Sequence, residues 1–456
     1  MTDSLLSRRV VGWFQGSVNR RILGAALTVG TFSIVVKITA TLKELAVAYR
    51  FGTGDVVDAF LIALLVPQLV VNTVGASLTA AFTPVYISVR ESEGTTAARR
   101  LFGSTTFASL VILVCLTLVM IIVMPLALRL LASGFSAQKL ALARSLFFVL
   151  VPIVVLNGAL TMWSAVANAE HRFAAAALAP ICVPLVTLVA VLVAGGVWGI
   201  EALSVGTVLG FVCQCGLLAW VLFRHELPII PRWFGVTVSL RAVASQYLPM
   251  VAGAALMTAS WAIGQAMAAT LPAGSVASLN YGTKVAGMIS EVGSMALATA
   301  VLPHFSVMVA RREWGAVRKT VRAYARIIAV TAVPVTLMLI VLSPAIVRLL
   351  YERGAFTAID TAHVAAIQGL YLLQVPFVMI GMLFVRLASS LQRNKILLIG
   401  AAITLPLNVL LNLLLMGRMG ADGIALSTSI VYVVSCCYLA VSAGRALRKA
   451  QTRDSV

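Results

Sequence analysis

Apolar stretches of roughly the 20 residues that a helix needs to cross a bilayer follow one another along the whole chain. About twelve are distinguishable, near 24–49, 56–88, 104–132, 141–168, 174–196, 200–223, 243–270, 277–309, 324–350, 361–389, 396–417 and 422–444. Lipid offers no water to satisfy a backbone, so only helices and closed barrels can span it. The period-two alternation of a membrane barrel is missing. The expected fold is therefore all-α and polytopic, with about twelve transmembrane helices. Composition points the same way: 61% hydrophobic, 11% charged and a mean hydropathy of +1.03, where soluble domains carry roughly 25% charged residues.

The spans form two sets. Pro125-Leu126-Ala127-Leu128-Arg129-Leu130-Leu131 returns as Pro344-Ala345-Ile346-Val347-Arg348-Leu349-Leu350, 219 positions on (344 less 125). Gly199-Ile200-Glu201-Ala202-Leu203-Ser204 returns as Gly423-Ile424-Ala425-Leu426-Ser427, and the Gly54 to Pro84 stretch returns as Gly274 to Pro303. Same-direction repeats at this spacing each cross the membrane an even number of times. They predict two six-helix lobes, 1–225 and 226–456, joined by the basic linker around Arg224, His225, Arg232 and Arg241. Like halves that face each other build a cavity at their interface, a common transporter device.

The net charge of +19 does not imply nucleic acid, because the charges sit in short gaps between apolar runs. Arg8, Arg9, Arg20, Arg21, Arg90, Arg99, Arg100, Arg172, the cluster Arg311 to Arg326, Arg393, Lys395 and the C-terminal arginines fall in one alternate set of gaps. Only Arg50, Lys139, Arg353 and Arg418 fall in the other. Positive-inside bias puts both termini in the cytoplasm, with anionic lipid as a partner. The first apolar run is too long, and too charged at Lys37 and Lys43, for a cleavable signal peptide. All six cysteines lie inside apolar runs, without disulfide or metal-ligand spacing. Pro67 and Pro152 are candidate kinks. Arg318, Arg322 and Arg326 against Trp314, Val317, Val321 and Tyr324 predict an amphipathic helix suited to an anionic membrane surface, or a plain extension of the ninth span.

Charges inside a membrane are costly and mark functional candidates. In the first span Ser33, Lys37, Thr41 and Glu44 share a face, with Lys43 on another. In the second, Gln68, Asn72, Gly75 and Thr79 repeat at helical spacing. In the eighth, Asn280, Lys284, Gly287, Glu291 and Ser294 do so. Shifting the second-span stripe by 219 lands on the Glu291 face of the eighth, so both stripes are expected to look into a wet central cavity. Polar residues also join packed helices without touching a ligand, and Lys43 and Lys284 are near enough to a gap to snorkel. Asp58 is placed to cap its own helix. The chain carries no GxxxxGK[ST], HExxH or GxSxG, and its four histidines are scattered. A non-enzymatic, cofactor-free secondary transporter is expected, driven by ion gradients or membrane potential.

Phe51-Gly52-Thr53-Gly54-Asp55-Val56-Val57-Asp58-Ala59-Phe60, with Pro67 and Ala81-Phe82-Thr83-Pro84, resembles the MviN/MurJ-type lipid II flippases of the multidrug/oligosaccharidyl-lipid/polysaccharide exporter superfamily. Glu352 to Ala358 with Asp360, and Asn168 with Arg172-Phe173 and Ala179-Pro180, are similar to further family stretches. The resemblance covers most of the chain. It implies alternating access and a cationic cavity that takes an undecaprenyl-diphosphate-linked saccharide across the bacterial inner membrane. Family cavity arginines fall on Lys37, Lys43 and Lys284, which would meet the diphosphate; Gln68, Asn72, Asn280 and Glu291 would meet the sugars. Glu44 and Asp58 are candidates for ion coupling or for a structural role, Asp58 by its match to a family aspartate.

The lysines keep charge but lose the bidentate guanidinium fork. A further family arginine falls on Val71, beside Asn72. Two C-terminal helices of typical members lie beyond the last residue of this sequence. Those departures favour an exopolysaccharide or surface-glycan precursor slightly over lipid II. Other glycan-assembly membrane proteins are candidate partners. The competing reading is a cation-coupled multidrug exporter of the same superfamily, which would want acids and aromatics where this chain has lysines.

Overall fold

The computed structural model describes residues 17–454 apart from 171, 226, 228, 392 and 394, with no side-chain description for residues 17–28 and a few others. It is all-helical among the described residues. Twelve long helices follow in order: α1 Ser17–Phe51, α2 Asp55–Glu93, α3 Thr95–Leu131, α4 Ala137–Ala169, α5 Phe173–Ala194, α6 Glu201–Arg224, α7 Val238–Ala268, α8 Ser275–Ala310, α9 Trp314–Tyr351, α10 Ala358–Ser390, α11 Lys395–Met419 and α12 Ala421–Asp454. Among the described residues, ten of them are long and apolar enough to cross a membrane; α1 and α8, which carry two of the polar stripes, are not among those ten.

The sequence repeat is a structural one. α4 breaks into Ala137–Leu150 and Ile153–Ala169 at Val151 and Pro152, and α10 breaks into Ala358–Leu372 and Val375–Ser390, 222 positions later, at Leu373 and Gln374. Pro152 removes a backbone donor at the first break. Pro376, just past the second break, does the same there. Pro67, by contrast, sits in helix that continues through it. Gly199 and Gly420 take the same left-handed conformation, φ +56° and +59°, immediately ahead of the sixth helix of each set.

The chain divides into two compact units. The first holds the chain up to Val47 with Val70–Met124 and Ser145–Ala252. Its core packs Leu78, Phe82 and Tyr86 of α2 on Leu101 and Phe102 of α3 and on Met162 and Val166 of α4. Apolar burial does not drive helices together in lipid, so close approach must. Gly206 and Gly210 of α6 provide it: a Cβ on either would come within 2.6 Å of Ala190 or Val183 on α5.

The second unit holds Ala48–Leu69, Pro125–Arg144 and Gly253 onward. Its core joins Leu297, Val301 and Phe305 of α8, Val317 and Ile328 of α9, Leu383 and Leu387 of α10, and Ala443 and Leu447 of α12. The stretch Trp314 to Arg326 is the beginning of α9 rather than a separate surface helix. Val317 is fully buried, and Trp314, Val321 and Tyr324 pack on that core. The apolar stripe thus faces protein, not lipid.

Candidate functional site

The first unit contains a cavity of about 410 Å³ beside Lys37. α1 lines it with Ser33, Val36 and Lys37, and α4 and α5 with Asn168, Phe173 and Pro180. Lys37 is solvent-exposed, and the lining includes no acid. Thr41, on the same helical face, turns its hydroxyl back to the Lys37 carbonyl at 2.9 Å. Lys43 points elsewhere and meets its neighbour Glu44 at 2.8 Å, each side chain about a quarter exposed.

The stripe on α2 is divided. Asn72 is exposed. Gly75 is buried against α4, where a Cβ would come within 3.2 Å of the Thr161 hydroxyl, and Thr79 donates to the Gly75 carbonyl. That stretch of the stripe is helix packing. Val71 lines a closed seam with Leu113, Val154 and Asn157, so an apolar residue suits it. Gln68 is half-buried.

On α8 the stripe and the packed face separate cleanly. A Cβ on Gly282 or Gly293 would strike Ile367 or Met379 of α10, whereas Gly287 has open space over it. Asn280 and Lys284 are half-buried and Glu291 is exposed. Lys284 and Glu291 therefore share the α8 face that is open at Gly287.

Asp58 is 1% exposed and does not cap its own helix. Its two carboxylate oxygens accept the backbone N–H groups of Gly274 and Ala277, each at 2.8 Å, which caps the start of α8. A carboxylate there also complements the helix dipole. Lys139 at the start of α4 donates to Asp58 at 2.9 Å and to Asp55 at 2.6 Å, with its ammonium 4.0 Å from the centre of the Phe135 ring. Gly274 must be glycine: its φ is +84°, and a Cβ would overlap the Thr53 carbonyl.

The repeat-equivalent of Lys139 is Asp360, at the start of α10. It accepts the Thr53 hydroxyl and closes a capping box with Thr357. The Tyr49 carbonyl accepts the Ala355 N–H at 2.8 Å. Two equivalent positions, one basic and one acidic, thus hold the Thr53 to Asp58 segment inside the second unit. Lys139 lies 81 residues from Asp58, so no local spacing in the sequence signals the pair.

The helical fold is shared with two kinds of solved membrane transporter. A multidrug resistance MATE family transporter of the MOP superfamily, in its inward-facing conformation, matches at TM-score 0.76 with 15% identity over 94% of this chain and 99% of its own. The structure of lipid II flippase MurJ in an inward closed conformation matches at TM-score 0.79 with 19% identity, over 93% of this chain and 90% of its own. The family model for lipid II flippase MurJ matches residues 47–455, and the chain belongs to that family. A probable lipid II flippase MurJ of Rhizobium meliloti (strain 1021) is 28% identical over 412 residues, 87% of this chain and 76% of that protein. One from Thermotoga maritima is 23% identical over 416 residues, 91% of this chain and 83% of that protein. The protein is accordingly a multi-pass membrane protein of a bacterial transporter family.

Proposed function

We propose that the protein is a secondary-active flippase that carries an undecaprenyl-diphosphate-linked saccharide from the cytoplasmic to the outer face of the inner membrane. The observation that carries this reading is Lys37, exposed on a cavity whose lining includes no acid, in a chain whose family model is that of a lipid II flippase. A diphosphate cannot leave water without compensating charge; Lys37 and Lys284 supply it, with Lys43 moderated by Glu44. Gln68, Asn72, Asn280 and Glu291 offer hydrogen bonds to the sugars. Glu44 and Asp58 serve structure in this reading, Asp58 as the carboxylate that anchors α8.

Both termini lie in the cytoplasm, following the arginine and lysine asymmetry. The working lobes are the two repeats, 1–225 and 226–456. Lipid II is the favoured cargo, because it is the substrate named for the matched family and its relatives. The sequence departures at Val71 and the cavity lysines keep another polyprenyl-linked glycan in view. Cells depleted of their own lipid II flippase separate the two. Rescue of growth by this chain supports lipid II; continued lysis, with loss of a surface polysaccharide when the native gene is deleted, points to the glycan precursor.

A further inference from the structure

The linker between α6 and α7 is pinned to the first turns of α3. Phe234 donates its backbone N–H to the Ser104 hydroxyl at 3.1 Å, and the Trp233 ring lies 5.8 Å from that of Phe107. Gly103 allows the approach, since a Cβ there would stand 3.0 Å from the Arg232 carbonyl and the Phe234 ring. The contact leaves a hollow of about 400 Å³ that combines Arg99, Arg100 and Arg232 with Ile229, Ile230 and Phe234. Among the described residues no carboxylate pairs with these three arginines. Glu93 lines an adjoining hollow with Arg100 and Thr237.

Two features indicate what fits. Three cations concentrated in one hollow call for an anion with several oxygens. The apolar side chains are uncovered: Ile230 is 69% exposed, Val236 59%, Trp233 48% and Phe234 47%. Basic and aromatic residues side by side are the pattern of a protein surface at the headgroup level. The other repeat supplies a contrast. Arg318, 219 positions after Arg99, is bonded to Gln451 of α12 at 2.8 Å, so it has a polar partner within the chain.

We propose that this hollow is a binding site for an anionic phospholipid, its phosphate held by Arg99, Arg100 and Arg232 and an acyl chain lying on Ile230 and Phe234. A free phosphate would satisfy the arginines but leave those apolar side chains bare, so the ligand is an amphiphile. By the positive-inside asymmetry it comes from the cytoplasmic leaflet. The bound lipid would tie the linker to α3, and the proposal stands independently of the transported cargo.

The test uses the full-length protein in a non-ionic detergent, with lipid binding followed by native mass spectrometry. Wild type should hold phosphatidylglycerol more tightly than phosphatidylcholine. Arg99→Gln, Arg100→Gln and Arg232→Gln should each weaken phosphatidylglycerol binding by about fivefold, the scale for one basic residue beside an anionic surface, without changing phosphatidylcholine binding. Arg418→Gln, at an exposed arginine on α11, should change neither. Equal affinity for the two lipids would overturn the proposal, as would wild-type phosphatidylglycerol binding by all three single variants. Soluble glycerol phosphate that displaces the lipid at comparable concentration would identify a free-phosphate site and refute the lipid assignment.

Discussion

Replacing Asp58 should destabilise the protein through two separable losses. The carboxylate accepts two backbone N–H groups at the start of α8 and pairs with a Lys139 side chain that is 8% exposed. Loss of a cap acceptor costs about 0.5–2 kcal/mol. Stranding one member of a buried pair costs about 3–5 kcal/mol, but Lys139 keeps Asp55, whose side chain is 60% exposed, so the low end applies. Asp58→Ala should therefore cost about 3.5–5 kcal/mol. Asp58→Asn, which keeps one acceptor oxygen for the cap, should cost about 2 kcal/mol, much of it charge.

A double-mutant cycle of Asp58→Asn with Lys139→Met, read by reversible denaturant unfolding in micelles, isolates the pair. The coupling should reach about 2 kcal/mol, above the roughly 0.2–1 kcal/mol of exposed pairs. A coupling below about 0.5 kcal/mol would mean that Asp58 acts only as a cap and that the ion pair adds nothing.

Three further outcomes follow from other regions of the molecule. In a chain cleared of native cysteines, single cysteines at Ser136 and Thr357 should react with an impermeant thiol reagent from outside, and those at Ser92 and Thr452 should not; outside labelling at Thr452 would reverse the orientation. Gly206→Leu and Gly210→Leu should force α6 away from α5 and cost about 1–3 kcal/mol or more by overpacking, measured by thermal unfolding, whereas Gly287→Ala, with open space over it, should be close to neutral. Lys43→Ala should impair transport less than Lys37→Ala in a flipping assay, because Lys37 lines the cavity of the first unit and Lys43 is not part of its lining.

The architecture was legible because it is written twice and in an alphabet that lipid constrains. Pro152 marked the break in α4, and the Pro125 and Pro344 stretches marked equivalent helix ends. Pro67 did not interrupt its helix, since a membrane helix can carry proline without breaking when neighbours satisfy the freed backbone. The stripes were half informative. Helical spacing gave the α8 face that holds Lys284, Gly287 and Glu291. It could not tell that Gly75 packs on Thr161 while Asn72, one turn away, is exposed. Such outcomes depend on which neighbour covers a face, and periodicity does not name the neighbour. Asp58 was recognised but assigned to the wrong helix, because an aspartate in a first turn looks like a local cap while its actual partners lie 81, 216 and 219 residues away. The α9 stripe was misjudged for the same reason: an amphipathic pattern fits a lipid surface and a protein core equally well.

In the proposed function Lys37 and Lys284 neutralise the diphosphate of a lipid-linked saccharide as it crosses the bilayer. Flipping of lipid II and of another undecaprenyl-diphosphate-linked saccharide in proteoliposomes, read by accessibility to an external sugar-modifying enzyme, tests this. Wild-type protein should move at least one of them. Lys37→Ala and Lys284→Ala should abolish that movement without loss of folded protein, and Lys37→Arg and Lys284→Arg should retain it. Normal flipping by both alanine variants would remove the lysines from the site, and failure of the folded wild type to move either lipid would contradict the account itself.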